Sequence, residues 1–140
     1  LSHRYPGRIG VHIGFSEELS HQIEAGADMF VMPSRFEPCG LNQFYSQRYG
    51  TPPIVHATGG LVDSVVDCTA ATLRDGTASG FKFYGMTAGN LIAAIRRAVD
   101  LYRDRGKWET LRRNCMAKDF SWESSARAYR EIYLKVLREM

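Results

Sequence analysis

Short apolar runs alternate with segments of helical character along this chain, and this alternation limits most strongly what the chain can fold into. In residues 8–15, Ile9, Val11 and Ile13 alternate with small or polar residues, which predicts a strand. Residues 28–32, with the sequence DMFVM, form the continuous apolar run that is typical of a buried parallel strand. Strands that alternate with helices indicate an α/β fold with a doubly wound parallel sheet.

Helix signals lie between and after these strands. Ser16 is a predicted N-cap, and Glu17 and Glu18 follow in the first turn, where carboxylates suit the positive end of the helix dipole. Gly26 is the predicted end of this helix. The other predicted elements are a helix over residues 41–49, a strand at 54–55, a short helix over 61–66, a loop over 67–80, a strand over 81–83, and helices marked by apolar stripes in 91–102, 108–116 and 126–137.

Composition excludes several classes of protein. The 140 residues suit one domain, and no apolar run approaches the roughly 20 residues that cross a bilayer. Residues 87–140 contain 12 of the 18 Lys and Arg residues, but these alternate with acids at helical spacing, which favours a solvated helix face over a nucleic-acid surface. The 3 cysteines and 4 histidines do not cluster at metal-ligand spacing, so neither a metal site nor a disulfide framework is predicted.

The loop after the DMFVM strand is the strongest candidate for a functional site, because ligands of parallel α/β sheets bind beyond the carboxyl ends of the strands. Residues 33–45, PSRFEPCGLNQFY, hold an acid, a base, a glycine and a helix start. Glu37 can accept hydrogen bonds from sugar hydroxyls, and Gly40 lets the backbone approach a ligand closely. From the residues alone, an equal alternative is that Glu37 only caps the following helix and pairs with Arg35.

Two further loops follow predicted strands. Gly59 and Gly60 precede a helix and can bring backbone N–H groups to an anion, although a glycine pair is more often only a turn. This loop follows the neighbouring strand, so it is expected to face the same crevice as residues 33–45. Gly14 and Phe15 end the first predicted strand, where the aromatic ring can stack on a base; a core position at the strand end is the favoured alternative.

One long motif, PSRFEPCGL followed by QFYSQRYGTPPIVHATGGLVDSV, is specific enough to indicate a family. It is accompanied by GADMFVMPS, DGTASGFKF, AIRRAVDLY and DFSWESSARAYREIY. Together these segments cover essentially the whole chain and resemble the bacterial glycogen synthases and plant starch synthases. The resemblance implies the GT-B fold, in which two Rossmann-like domains enclose the active site and the C-terminal one binds the sugar nucleotide. It implies that residues 1–140 are part of that C-terminal domain, incomplete at their N-terminal end, with terminal helices over about 87–140.

The same resemblance implies an activity. Family members transfer glucose from ADP-glucose to the non-reducing end of an α-1,4-glucan and retain the α configuration, in glycogen or starch synthesis. They need no metal and no cofactor, since cationic side chains and helix N-termini take the place of a metal. The implied partners are the donor and the glucan, with no nucleic acid and no membrane. The implied compartment is the cytoplasm of a bacterium or the plastid stroma of a plant.

The resemblance also implies roles for residues in the candidate loops. Glu37 would position the donor glucose, and a carboxylate there would stabilise the positive charge that builds on the sugar ring; it is the implied catalytic residue. Gly14, Phe15, Ser34 and Arg35 would lie near the adenosine. The backbone amides of Cys39, Gly40 and Leu41 would face the sugar hydroxyls or the distal phosphate, and Asn42, Thr58 and Gly59 would also bind the donor.

Two positions depart from the pattern of many related enzymes. Tyr45 stands where many have a second glutamate that holds the ribose, and Asn42 stands where many have threonine. The basic motif that opens the C-terminal domain and the whole N-terminal domain, which carries much of the acceptor surface, are not in this sequence, so the isolated chain is expected to be inactive. Two alternatives are a GT-B relative that uses another nucleotide sugar and a non-catalytic binding or regulatory module of the same fold.

Overall fold

The computed structural model describes residues 1–139 and has a parallel α/β arrangement. Within these residues, the strands β1 (Phe30–Met32), β2 (Pro53–His56) and β3 (Phe81–Phe83) pair in the order β1-β2-β3. Both pairings are parallel, with Val31 opposite Ile54. The helices are α1 (Glu17–Gly26), α2 (Asn42–Arg48), α3 (Leu61–Ser64), α4 (Ala70–Arg74), α5 (Ala88–Arg103), α6 (Arg105–Met116) and α7 (Trp122–Glu139). The α/β class and the parallel sheet are therefore confirmed.

The central strand β2 carries core residues on both of its faces. Successive residues of a strand point to opposite sides, so Ile54 and Val55 enter different apolar clusters. Ile54 packs with Trp108 of α6 and other buried residues of β3 and α5, whereas Val55 packs with Leu61 and Val65 around α3. Helices thus pack on both faces of β2, whereas Val31 of the edge strand β1 is 41% exposed.

Helix starts follow the capping chemistry closely. The Ser16 hydroxyl accepts a hydrogen bond from the Leu19 N–H at 3.2 Å, which confirms the predicted start of α1. The sequence predicts that helix α6 begins at Trp108, its first apolar residue, but the helix begins at Arg105. The Asp104 carboxylate accepts from the Lys107 N–H at 3.1 Å and caps this helix one turn ahead of the apolar stripe.

Two predictions were wrong. Residues 8–15 form no strand, and Val11, Ile13 and Phe15 are exposed. A strand needs a neighbour for its backbone groups, and none of the described strands pairs with this segment. The predicted loop over residues 67–80 contains helix α4, whose start has a capping box between the Thr69 and Thr72 side chains and backbones.

Helix α7 is amphipathic, yet all of its apolar side chains are at least partly exposed. Its stripe includes Tyr129, Tyr133 and Val136, spaced as on one helix face. Across residues 1–139, none of the helices has both the length and the apolar character required to cross a membrane.

Candidate functional site

The loops that follow β1 and β2 meet at the carboxyl edge of the sheet. The Gly60 N–H donates to the Glu37 carbonyl at 3.0 Å. His56 lies at the end of β2, and its Nδ1 is 2.8 Å from the Ser34 carbonyl. A carbonyl can only accept, so the His56 ring carries its proton on Nδ1 in this contact. These bonds join the two loops that the sequence placed at one crevice.

The glycine pair is what allows such a close approach. Gly59 has a positive φ of 48°, and a Cβ there would collide with the Glu37 carbonyl oxygen. A Cβ on Gly60 would lie 2.8 Å from the Cys39 Cα. Both positions therefore exclude larger residues for steric reasons, because backbone faces backbone. The neighbouring Thr58 is half-buried at the same junction.

Glu37 lies half-buried in the first of these loops. The Ser34 hydroxyl donates to the Glu37 Oε2 at 3.4 Å. This contact joins two of the residues that are expected to bind the sugar nucleotide. The structure does not support the alternative in which Glu37 only caps α2 and pairs with Arg35. No side chain caps the start of α2, and none of the ion pairs found in residues 1–139 includes Arg35.

The turn over residues 39–42 leads into α2. Gly40 adopts a φ of +77°, a left-handed conformation that glycine takes without strain. Cys39, Leu41 and Asn42 are exposed around it. A groove of about 910 Å³ runs from Cys39 and Leu41 along α2 to the start of α7. The turn is therefore accessible from solvent, and its role in binding a ligand stays a prediction.

Gly14 and Phe15 are not brought to this site by any described contact. Phe15 is 96% exposed, and within residues 1–139 no hydrogen bond joins either residue to the loops after β1 and β2. Their expected place near the adenosine stays a prediction. The favoured alternative for Phe15, a core position at a strand end, is wrong because neither the strand nor the burial is present.

Sequence reasoning missed three polar residues that support this site: Gln43, Ser64 and His56. Gln43 is fully buried, and its Nε2 donates to the Cys39 carbonyl at 2.8 Å. The Ser64 hydroxyl donates to the Gly60 carbonyl at 2.7 Å. One signal was available. Gln43, Ser46 and Gln47 share one face of α2 by their i, i+3, i+4 spacing, and a polar face on a helix between buried strands indicates an internal hydrogen-bond network.

The cysteines differ sharply in their surroundings. Burial raises the pKa of Cys68 to about 11, with a smaller contribution from the Asp67 carboxylate. Burial likewise raises the pKa of Cys115 to about 12. Cys39 is exposed in the candidate turn. Because thiol reagents attack the thiolate, Cys39 is the reactive cysteine expected within this chain.

Comparisons with known proteins agree with this geometry. No family model matches the chain. A glycogen synthase from Nitrosospira multiformis is 59% identical over 139 residues, which is 99% of this chain, and one from Aromatoleum aromaticum is 60% identical over 129 residues. The chain belongs to the glycogen and starch synthase family. It spans 28% of the length of the Nitrosospira glycogen synthase and thus corresponds to a part of such an enzyme.

Two solved structures are similar to this chain in fold. The catalytic domain of starch synthase IV from Arabidopsis thaliana, bound to ADP and acarbose, matches with a TM-score of 0.82 and 39% identity over 96% of this chain and 28% of that one. Sucrose-phosphate synthase from Thermosynechococcus elongatus matches with a TM-score of 0.63 and 25% identity over 99% of this chain and 33% of that one. The glycogen and starch synthase segment thus has the α/β fold of GT-B glycosyltransferases.

Proposed function

We propose that the protein containing this chain is a retaining glucosyltransferase that moves glucose from ADP-glucose to the non-reducing end of an α-1,4-glucan. In this proposal, residues 1–140 are the later part of the nucleotide-sugar-binding domain and supply part of the donor site. The bacterial relatives favour glycogen over starch as the product and the bacterial cytoplasm over the plastid stroma as the compartment.

One observation carries the proposal. The loops after β1 and β2 are bonded to each other at the carboxyl edge of the sheet, and Glu37 is half-buried in the first of them. This arrangement occurs in a segment that is 59% identical to a glycogen synthase. The related starch synthase IV domain is bound to ADP, which supports an adenine nucleotide as the leaving group.

The chemistry of glucosyl transfer suits these residues. Cleavage of the bond between the anomeric carbon and the diphosphate leaves negative charge on the phosphate and positive charge on the sugar ring. The Glu37 carboxylate would stabilise the ring charge, and the Gly40 and Leu41 N–H groups would donate to the phosphate. Preorganised donors of this kind lower the barrier by about 3–4 kcal/mol per donor in other enzymes.

The direct test is glucan elongation by the full-length protein with ADP-glucose and, separately, with UDP-glucose. We expect elongation with retained α configuration and a clear preference for ADP-glucose. A preference for UDP-glucose would favour a GT-B relative with another donor. A well-folded full-length protein without activity would favour a non-catalytic module. The chain alone is expected to make no glucan, so measurable elongation by the purified piece would contradict the division of labour proposed here.

A further inference from the structure

Gln43 lies near the start of α2, and its side chain bonds the backbone of residues 39–40, which precede the helix. Its side chain is fully buried. The Nε2 amide donates to the Cys39 carbonyl at 2.8 Å and to the Gly40 carbonyl at 3.2 Å, and the Ser64 hydroxyl oxygen is 3.4 Å away. Two carbonyl oxygens can only accept, so the amide nitrogen must face them and the orientation of the Gln43 side chain is settled.

The oxygen of the same amide has no partner within residues 1–139. Gln43 Oε1 is buried and receives no hydrogen bond from the described residues. It abuts Gly40, where an added Cβ would lie 2.5 Å from it. A buried acceptor without a donor weakens the folded state. Gln47 has an Oε1 that likewise lacks a partner in the described part of the chain, so the two glutamines differ in what their Nε2 groups bond, and of the two only Gln43 bonds the turn.

Because the peptide bond is planar, the bonds from Gln43 to the Cys39 and Gly40 carbonyls also fix the direction of the adjoining N–H groups. The Cys39 carbonyl and the Gly40 N–H belong to one rigid peptide unit and point in opposite directions, as do the Gly40 carbonyl and the Leu41 N–H. A side chain that holds both carbonyls from one side therefore directs both N–H groups to the other side. These are the N–H groups that the proposed function aims at the donor.

Ser64 connects Gln43 to the loop after β2. Ser64 contacts the Gln43 amide and donates to the Gly60 carbonyl at 2.7 Å. Gly60 in turn donates to the Glu37 carbonyl. The chain of contacts from Gln43 thus reaches both loops of the candidate site without any exposed residue in between.

We propose that Gln43 is a positioning residue: by holding the Cys39 and Gly40 carbonyls it orients the Gly40 and Leu41 N–H groups toward the leaving phosphate. The donor part of this inference rests on the proposed function. Gln43 itself touches no substrate, because it is buried behind the turn. Its effect is expected on the transition state, where charge builds on the phosphate, more than on binding of the ground state.

The test compares Gln43→Met with Gln47→Met in the full-length protein. Gln47 is a matched control, because it is also fully buried in α2 and its Nε2 bonds the Gln43 and Ser64 carbonyls, but it makes no bond to the turn. We expect Gln43→Met to lower kcat by about 10²-fold with a smaller change in KM for ADP-glucose, as for misaligned oxyanion donors. Gln47→Met should lose comparable thermal stability and keep most of its kcat. If Gln43→Met does not fold, Gln43→Glu preserves the side-chain size and should lose kcat in the same way.

Alkylation of Cys39 gives a readout that does not depend on activity. Iodoacetamide labelling, followed by peptide mass spectrometry, measures how freely the turn moves. We expect the Cys39 rate to rise by about fivefold or more in Gln43→Met, the factor that one lost hydrogen bond implies, and to stay near wild type in Gln47→Met.

The outcomes separate this inference from the proposed function. With an active wild type, a selective kcat loss in Gln43→Met supports the positioning role, whereas equal losses in both variants, or none, overturn it and leave the proposed function intact. An inactive wild type overturns the proposed function. Cys39 labelling then decides whether Gln43 orders the turn, since an unchanged rate would overturn that too.

Discussion

Helices α2 and α7 use their side chains in opposite ways. Helix α2 buries Gln43, Ser46 and Gln47 completely, although all are polar. Helix α7 leaves Trp122 85% exposed and Tyr133 66% exposed, although both are large and aromatic. Helix α2 lies against β1, β2, α3 and α6, whereas no described element covers the apolar stripe of α7. Burial therefore follows from what packs against a helix. The buried polar groups differ in their partners: Gln43 bonds the turn carbonyls, whereas Ser46 and Gln47 bond carbonyls of the helices α2 and α3.

The largest expected effect tests whether the polar side of this comparison serves function. We expect Glu37→Gln in the full-length protein to lower turnover by about 10²–10³-fold, because a neutral amide no longer stabilises positive charge on the sugar ring. Thermal stability should change little, since Glu37 is only half-buried. Steady-state kinetics and a melting curve are the measurements. Unchanged turnover would remove Glu37 from the catalytic set.

The next effect tests how tightly the two loops are joined. Gly59→Ala should destabilise the protein by about 3 kcal/mol, because the new Cβ meets the Glu37 carbonyl and the positive φ disfavours alanine. Gly89→Ala in α5 is the control; its Cβ would lie 3.9 Å from the Thr87 hydroxyl oxygen, an ordinary contact, and the alanine should stabilise the helix by up to about 1 kcal/mol. Urea unfolding of both variants decides the point. Equal midpoints would show that the loops can separate without penalty.

Helix α1 also buries a polar group, the carboxyl group of Glu24, and this one can ionise. Burial raises the pKa of Glu24 from its ordinary value of 4.5, and His21 nearby lowers it in part. The folded state thus holds this proton more tightly than the unfolded state. The stability that Glu24 contributes is complete below the unfolded pKa and is lost as pH rises through the folded pKa.

Glu24→Gln removes that loss, because glutamine does not ionise. We expect the variant to gain stability relative to wild type as the pH rises above 4.5, the ordinary pKa of a glutamate, as measured by urea midpoints at each pH. Glu17→Gln, an exposed position in the same helix, is the control and should show a nearly constant difference. A Glu24→Gln difference that is flat across this range would mean that the carboxylate is paired or hydrated.

The smallest effect tests the apolar side of the comparison. Tyr133→Ala should change the stability of the isolated chain by less than about 0.5 kcal/mol, because the side chain is mostly exposed. Leu111→Ala in α6 is the buried counterpart and should lose about 2–5 kcal/mol. Chemical denaturation measures both. A large loss for Tyr133→Ala would show that α7 packs against another surface in solution.

Local patterns predicted most of the elements, and the two wrong predictions have different causes. The start of α1 at Ser16 and the position of β1 followed from neighbours in sequence. Residues 8–15 have the alternating pattern of a strand, but a strand forms only where another strand pairs with it, and none of the described strands does. Helix α4 has a local signal of its own, since Thr69 and Thr72 have the spacing of a capping box, but the turn-rich composition of residues 67–80 favours a loop.

The candidate site divides in the same way. Glu37, Gly40 and Gly59 were found because an acid and glycines after apolar strands have a chemical meaning of their own. Gln43 and Ser64 were missed because a glutamine and a serine inside helices have none until their partners are known. Their partners are backbone carbonyls in the site loops.

The sequence by itself determined the parallel α/β class, the capped helices and the family, because these depend on periodicity, capping chemistry and a long motif. Only the tertiary structure decided that Gly59 must lie against the Glu37 carbonyl, that Gln43 holds the turn before α2, and that α7 keeps its aromatic residues in solvent. The physical reason is that burial and hydrogen-bond partners are properties of pairs of segments, and a pair exists only once the chain has folded.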